Sequence, residues 1–467
     1  MAYTGFVVKV SELRKHSNAD RLQIATFFGN DTIVGLDTKV GDIGVYFPVD
    51  GQLSERFCQV NDLVRRKNPE TGAQEGGYLD PDKRNIKALK LRGEKSDGLY
   101  LPITCLTDFC KISDLKVGDT IDTVNGELIC QKYIPRQKRT PGAPGSKVHK
   151  VKVNFAPTFY EHVDTAQLAY NLHVFKPGDL IQLTLKMHGT SGRTGYLPLI
   201  KFRQSWLDKL LKRPGKQYME YGYVTGTRRV VLDATHTGGF YDDNSFRQAM
   251  AAKFEGKLHK GEVVYYEIVG FQGPNGAPIM SQVQNSKVKD KEFTKQYGET
   301  TTFSYGCDPA GGYEWTESGD ILHNPVEVPP CCEVYVYRMT MVNEDGDVVE
   351  YSPDQIKERC EQMGVNVVPE FSRFIIPSAT YHPDGTCDGI DPGEYVVREV
   401  EKHFDGPDPV GKTHVREGVV TRICNRTNFA VYKHKNFAFK VLEGIAKDEA
   451  TAPDMEEAQE VVDESDT

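Results

Sequence analysis

Several common signatures are missing from this chain. No CxxC pair occurs among its ten cysteines, which are scattered except for the adjacent Cys331 and Cys332. That spacing argues against a zinc site and against a disulfide framework. No apolar run is long enough to span a bilayer, and the opening MAYTGFVVKVSELRKHS lacks the pattern of a signal peptide. The expectation is a cytoplasmic protein with reduced thiols (host cytoplasm if the source is viral), no membrane partner and a monomeric state. No internal repeat is apparent. A cationic excess is also missing, since the formal net charge is −9. The charge is uneven, however. Residues 446–467 hold nine acidic residues and one lysine, so the rest of the chain is close to neutral. This polar, aromatic-free stretch is expected to be a disordered acidic tail. Net charge therefore does not exclude a nucleic-acid partner, and local distribution decides.

What is present is enough apolar material for large cores, with 39% hydrophobic and 10% aromatic residues over 467 positions. That length suits two or three domains. Residues 1–130 read as a β domain: FVVKV, LQIATF, TIVGL and GVYFPV alternate between turn residues. Two Lys-Val-Gly-Asp turns, at 39–42 and 116–119, each feed a strand. Many short strands suggest a small barrel, with the OB fold as the leading candidate. Residues 131–150, rich in Pro, Gly, Lys and Arg, read as a linker; Lys138 and Arg139 make it equally a solubilising hinge or an arm on a phosphate backbone. Residues 151–445 read as a larger α+β domain. Helices are expected near 160–172, 203–212, 245–257 and 353–363, the last opening on Ser352-Pro353-Asp354. Strands are expected at 180–186, 262–269, 333–342, 395–401, 417–423 and 429–432.

Five stretches of the larger domain carry chemistry. Ile181, Leu183 and Leu185 alternate with Gln182 and Thr184, and the run ends on Lys186-Met-His188-Gly189. A strand-end lysine is ordinarily a solvated charge. It becomes a nucleophile when burial or nearby cations favour its neutral form. Glu267 interrupts the apolar run 262–270, where a carboxylate is costly unless it pairs or binds a hydroxyl. Val334-Tyr335-Val336-Tyr337-Arg338 places aromatics at period two, suited to a core strand or to stacking on a base. Arg416-Glu417-Gly418 opens another apolar run. Lys433 and Lys435 lie on one face of a strand, a spacing that suits neighbouring phosphate oxygens. Taken singly, each stretch is better read as ordinary structure.

Their order and type together resemble motifs I, III, IIIa, IV and V of the covalent nucleotidyltransferases. Lys-x-His-Gly in place of Lys-x-Asp-Gly is similar to the ATP-dependent RNA ligase branch, including phage-type members. Within Val224-Thr-Gly-Thr-Arg228-Arg229, Arg228 is the chosen arginine of motif Ia, with Arg229 as its rival. Tyr335 similarly rivals Tyr337, and Lys440 rivals the motif V lysines. Arg338 stands where the family often has an acidic residue. Asn18-Ala-Asp20-Arg21-Leu22, Val40-Gly-Asp42 with Tyr46-Phe47, and Leu89 to Leu99 resemble the amino-terminal OB module of such ligases. The resemblance covers residues 5–125 and most of 155–440, leaving 272–330 and 343–395 as insertions of unassigned role.

The resemblance implies a multidomain fold. An amino-terminal OB-like β-barrel would precede an α+β, ATP-grasp-like adenylation domain with antiparallel sheets. It implies ATP as substrate, Mg2+ or Mn2+ as cofactor, and RNA with 5′-phosphate and 3′-hydroxyl ends as partner, with an RNA or DNA template strand. Lys186 would carry AMP. Lys433 and Lys435 would stabilise the α-phosphate, and His188 would act at the phosphate in a later step, with a structural hydrogen bond as its alternative role. Glu267 would hold ribose hydroxyls, Tyr337 would stack on adenine, and Arg228 would complete the nucleotide site. Glu417 would hold the metal, and Arg92, Lys138 and Arg139 would contact nucleic acid. The competing expectations are a GTP-dependent mRNA guanylyltransferase, a DNA ligase and a non-catalytic RNA-binding protein that kept the fold.

Overall fold

The computed structural model describes residues 3–134, 155–163, 165–204, 206, 215–228, 231–232, 245–311, 314–315, 321–322, 329–378, 380–381 and 387–448. Lys138, Arg139, Arg229, most of 203–212 and the acidic tail beyond 448 lie outside them. The chain forms two compact units, and antiparallel sheets with helices make it a multidomain α+β protein. No described helix is long and apolar enough to cross a membrane.

The first unit is built from Met1–Arg136, Asn285–Gln296 and Phe437–Glu449. Its main sheet orders Leu99–Pro102, Ile43–Phe47, Gly5–Lys9 and Thr120–Ile121. A second sheet joins Leu13–Lys15, Leu22–Phe27 and Asn30–Gly35. Among the described residues these ladders do not close into one barrel. Val7, Val45, Phe47 and Leu53 from the strands form a core with Phe57 of the helix Glu55–Val60 and Leu106 of a 3₁₀ turn. The Lys-Val-Gly-Asp turns are built alike. Asp42 accepts from the Lys39 backbone N–H at 2.8 Å, and Asp119 accepts from Lys116 at 2.7 Å. Gly41 and Gly118 supply the left-handed step, at φ 98° and 100°. A third turn of the same build, Lys-Pro-Gly-Asp, appears in the second unit, where Asp179 accepts from the Lys176 N–H at 2.8 Å around Gly178.

Three boundaries differ from expectation. Residues 285–296 and 437–445, read as part of the larger domain, pack with the first unit. Ion pairs Lys90–Asp290, Lys440–Asp97 and Lys447–Asp50 hold them there, and Lys95 lies over the Phe437 ring. The closing helix Phe437–Asp448 runs into the stretch read as tail, with Lys447 buried. The strand Cys130–Lys132 pairs with Gly51–Leu53 and Tyr133 is buried, so ordered structure extends into the stretch read as linker.

The second unit holds two larger sheets. A five-stranded sheet orders Ala166–Gln167, Ala430–Lys435, Gly418–Ile423, Leu180–Lys186 and Glu370–Ile375. A seven-stranded sheet contains Val231–Leu232, Lys216–Gly226, Thr190–Arg203, Glu262–Gly270, Cys332–Val342 and Val348–Glu350, with Asn366–Val367 beside Cys332–Val342. In Leu180–Lys186 the buried residues Ile181, Leu183 and Leu185 alternate with half-buried partners. Ile181 and Leu183 pack with Leu168, Phe175, Val396, Val400 and Val419. Each such side chain contributes roughly 1.5–3 kcal/mol on full burial.

Helix Pro353–Met363 forms as expected. Ser352 and Gln355 make a capping box, Pro353 occupies the first turn, and Gly364 ends the helix at φ 67°. The expected strand 395–401 is instead the helix Pro392–Glu401. Its β-branched composition suggested a strand, but Asp391 caps the Gly393 and Glu394 N–H groups and Pro392 opens the first turn. Val396 and Val400, four apart, then share a buried face. The expected helix near 160–172 is instead the short strand Ala166–Gln167 and two 3₁₀ turns. Parallel pairing of Ala166 with Tyr432 and Gln167 with Lys433 overrides the local preference. The expected helix at 245–257 is shorter, Ser245–Ala252.

Candidate active site

The chain crosses from the five-stranded to the seven-stranded sheet at Met187-His188-Gly189. Lys186 ends one strand and Thr190 begins the next. Gly189 is required at this crossing. A Cβ there would come within 2.3 Å of the Ile268 carbonyl oxygen and 2.9 Å of Glu267 Cγ. The close approach lets the Gly189 N–H donate to Glu267 Oε1 at 3.0 Å. Ser191, opposite Glu267 in the ladder, donates its hydroxyl to Oε2 at 3.4 Å.

Register builds the rest of the site in three rungs of the five-stranded sheet. Gln182, Arg422 and Val431 form one rung, Thr184, Val420 and Lys433 the next, and Lys186, Gly418 and Lys435 the third. The third rung has a lysine at each side of a glycine. Gly418 has φ 155°, and a Cβ there would lie 2.0 Å from the His434 carbonyl oxygen. Beside it Glu417 turns its carboxylate between the lysines. Oε1 lies 2.7 Å from Lys186 Nζ and 3.5 Å from Lys435 Nζ. Glu417 is buried, and Oε2 has no hydrogen-bond partner among the described residues. His188 Nδ1 stands 3.8 Å from that oxygen.

An orphaned buried carboxylate oxygen is costly, by about 1–3 kcal/mol or more. A hard cation that keeps most of its waters and takes phosphate oxygens would satisfy it. No group of three or more His, Cys, Asp or Glu suited to caging a metal occurs among the described residues. The fit is therefore to a shared ion at one carboxylate, and Glu417 is the residue that would hold it.

One cavity of about 190 Å³ opens beside these groups, lined from both sheets. Lys186, Arg228, Glu267, Tyr337 and Lys433 all line it. Tyr337 reaches it through a bulge: Arg338 opposes Tyr265 and Val336 opposes Tyr266, which leaves Tyr337 as the extra residue. Tyr335, its rival, instead opposes Glu267 and is not among the lining residues. Lys440 belongs to the first unit, paired with Asp97. Arg92 sits at an exposed left-handed turn between Ala88–Leu91 and Glu94–Asp97, in that same unit.

Other contributors had no motif to reveal them. Gln182 and Thr184 line the cavity as the polar half of the alternation that sequence showed, although only the buried half drew attention. His162, Thr165, Arg422 and Phe429 also line it, with no signal beyond their residue type. Tyr305, from the stretch read as an insertion, accepts the His188 backbone N–H at 2.6 Å. Burial, with the carboxylates of Asp408 and Glu417 nearby, pushes its phenol well above the ordinary range, so it stays a neutral acceptor. The His188 ring meets Phe303 edge-on at 4.7 Å.

The fold defines a class: two largely antiparallel sheets joined at a lysine-bearing crossing, with a cavity between them, and a further unit, the first, completing the chain. Solved structures of this fold come from an RNA ligase of Naegleria gruberi. A lysine-to-methionine variant with AMP and Mn matches at TM-score 0.52 and 15% identity, over 93% of this chain and 97% of that one. A lysine-to-alanine variant with ATP and Mn matches at 0.52 and 14%, over 93% and 98%. An arginine-to-alanine variant with ATP and Mn matches at 0.51 and 16%, over 95% and 99%. At these identities the likeness shows the fold. No protein-family model and no curated protein sequence matches the chain.

Proposed function

We propose that the protein is an ATP-dependent RNA ligase that joins 5′-phosphate and 3′-hydroxyl RNA ends, at nicks in a duplex, in RNA repair. The observation that carries the reading is the grouping at one cavity. Five separated stretches bring Lys186, Glu267, Tyr337, Glu417, Lys433 and Lys435 to the cavity or its lysine end. The shared fold with an RNA ligase solved with ATP, AMP and Mn supports it.

In this reading Lys186 Nζ attacks the α-phosphorus of ATP. An N–P bond forms, and the bond to the leaving pyrophosphate breaks. The amine must first lose a proton, and Glu417 Oε1 at 2.7 Å is an acceptor in reach. Lys435 on the same rung as Lys186 and Lys433 on the rung beside it, both across the intervening strand Gly418–Ile423, stabilise charge on the α-phosphate. Glu267 is already held by Gly189 and Ser191, so its carboxylate is oriented to receive ribose hydroxyls. Tyr337 stacks on adenine, and Arg228 completes the nucleotide site. A divalent cation, Mg2+ or Mn2+, held at Glu417 would neutralise phosphate charge when bound. The AMP then passes to the RNA 5′-phosphate, breaking the N–P bond and regenerating the amine. Attack by the 3′-hydroxyl forms the phosphodiester and releases AMP, with His188 at the phosphate in these later steps.

The first unit would act as an OB-type grip on RNA, aided by Arg92 and by the arm bearing Lys138 and Arg139, with a template strand across the nick. The described cysteines are free thiols, which supports a reducing, cytoplasmic setting. We expect a monomer.

The test is incubation with ATP labelled at the α-phosphate and Mg2+ or Mn2+. Acid-stable label should appear on wild type and be absent from Lys186→Ala, and nicked RNA duplexes should be sealed. Label taken from GTP in preference to ATP would overturn the reading.

A further inference from the structure

The cavity has an aromatic end that its motif residues do not explain. His162 lines it, 5.0 Å from the Tyr337 ring and 6.0 Å from Phe429. Its Nδ1 lies 3.3 Å from Arg338 Nη1. A guanidinium only donates, so Nδ1 must be the acceptor and the ring proton must sit on Nε2. Arg338 is itself fixed. Its Nε donates to Glu350 Oε1 at 3.2 Å and to Oε2 at 3.0 Å, and its Nη2 also donates to Oε1. The guanidinium lies over Phe429 at 4.3 Å and Tyr265 at 4.7 Å. A chain from Glu350 through Arg338 therefore sets the tautomer of a histidine on the cavity wall.

We propose that His162 is the residue that recognises the nucleobase, donating Nε2–H to an unprotonated ring nitrogen of adenine. This rests on the nucleotide reading of the cavity and goes beyond it by giving the base its polar partner. It also gives Arg338 a role at a position where the resembling family often has a carboxylate. A carboxylate there would accept from Nδ1–H and turn Nε2 into an acceptor, the opposite polarity.

Burial comes first in holding His162 neutral, and the guanidiniums of Arg338, Arg228 and Arg193 add to it, leaving its pKa well below the ordinary range. Among the described residues, these three guanidiniums are the charges that lower it, and Arg422, over the neighbouring Phe429 ring, and Glu350, paired with Arg338, lie nearby. Neutrality keeps one donor and one acceptor in place across the working pH range, so the base meets a donor of constant polarity.

The experiment measures the KM for ATP in adenylylation of Lys186 by the full-length protein, with His162→Phe as the variant. Phe keeps a ring beside Tyr337 but removes the donor. A rise of roughly tenfold in KM with kcat within about twofold is expected from one lost hydrogen bond. An unchanged KM would overturn the proposal. Wild type is also assayed with 1-deaza, 3-deaza and 7-deaza ATP, which needs no variant to fold. One analogue should lose about the same factor on wild type and lose nothing further on His162→Phe. Equal KM for all three and ATP on wild type would overturn it. Histidine nitrogen NMR on wild type at pH 6, assigned by the signal missing from His162→Phe, should show a neutral ring protonated at Nε2. A ring protonated at Nδ1 would overturn the proposal too. Failure of wild type to form any adenylate with ATP would refute the underlying nucleotide reading instead.

Discussion

At one end of the cavity Glu417 is shared by Lys186 and Lys435 and keeps a buried oxygen without a hydrogen bond among the described residues. At the other end Glu350, Arg338 and His162 satisfy one another in a chain. Both ends combine a carboxylate with cationic or titratable side chains under partial burial. They differ in what is left over. The lysine end keeps unspent charge, which suits phosphates and a metal ion. The histidine end leaves one neutral donor beside two aromatic rings, which suits a flat polar ring. A nucleotide has the same division into anionic and aromatic halves.

The largest break in this contrast is Lys186→Ala. It removes the nucleophile, so no covalent label should form, while KM-independent binding of ATP to the folded protein should persist in calorimetry. Glu417→Gln comes next. It keeps the shape and removes the charge shared by two ammonium groups, so adenylylation should fall by about 10²–10³-fold, read as initial rate at saturating ATP and metal. If instead the rate stays near wild type, Glu417 neither takes the proton nor holds the ion.

Gly418→Ala tests the spacing of the lysine end rather than its charge. The added methyl meets the His434 carbonyl oxygen and the Lys435 Cα across the ladder. A loss of roughly 2–4 kcal/mol in unfolding free energy is expected, measured by urea denaturation.

The histidine end should show in the pH dependence of stability. His162 has a lowered pKa in the folded chain, so as pH falls below about 6.5 the unfolded chain takes up a proton that the native state refuses. Its contribution is present above that pH and is lost as the pH falls. Wild type should therefore lose up to about 1.4 kcal/mol more per pH unit than His162→Phe between pH 6.5 and 5.5. Parallel stability curves for the two proteins would mean that the native ring titrates normally. The smallest effect belongs to Tyr337→Phe, which keeps the stacking face and should change the ATP KM by less than about twofold, against about tenfold for Tyr337→Ala.

Much of the lysine end was legible in advance, because its signals are local. A period-two run ending on Lys186, a carboxylate before Gly418 and a Lys433-x-Lys435 pair each announce a strand and a face. The histidine end was not legible. His162 lies between no periodic neighbours, and Arg338 read as a departure from pattern. Their partnership spans residues 162, 338 and 350, which only the fold brings together. The helix at Pro392–Glu401 was misread for a related reason: β-branched composition spoke for a strand, while the Asp391 cap and the packing of Val396 and Val400 decided otherwise.

By itself the sequence determined which strands exist in the site, which of their faces is buried, and which residues can act as nucleophile, cation or carboxylate. Those properties follow from side-chain chemistry and from the two-residue period of a strand. Only the tertiary structure decided ladder register, and register is what puts Lys186, Gly418 and Lys435 on one rung and makes Tyr337 the bulged residue. It alone decided the tautomer of His162, because a proton's position on a ring depends on which donor the fold sets against the other nitrogen.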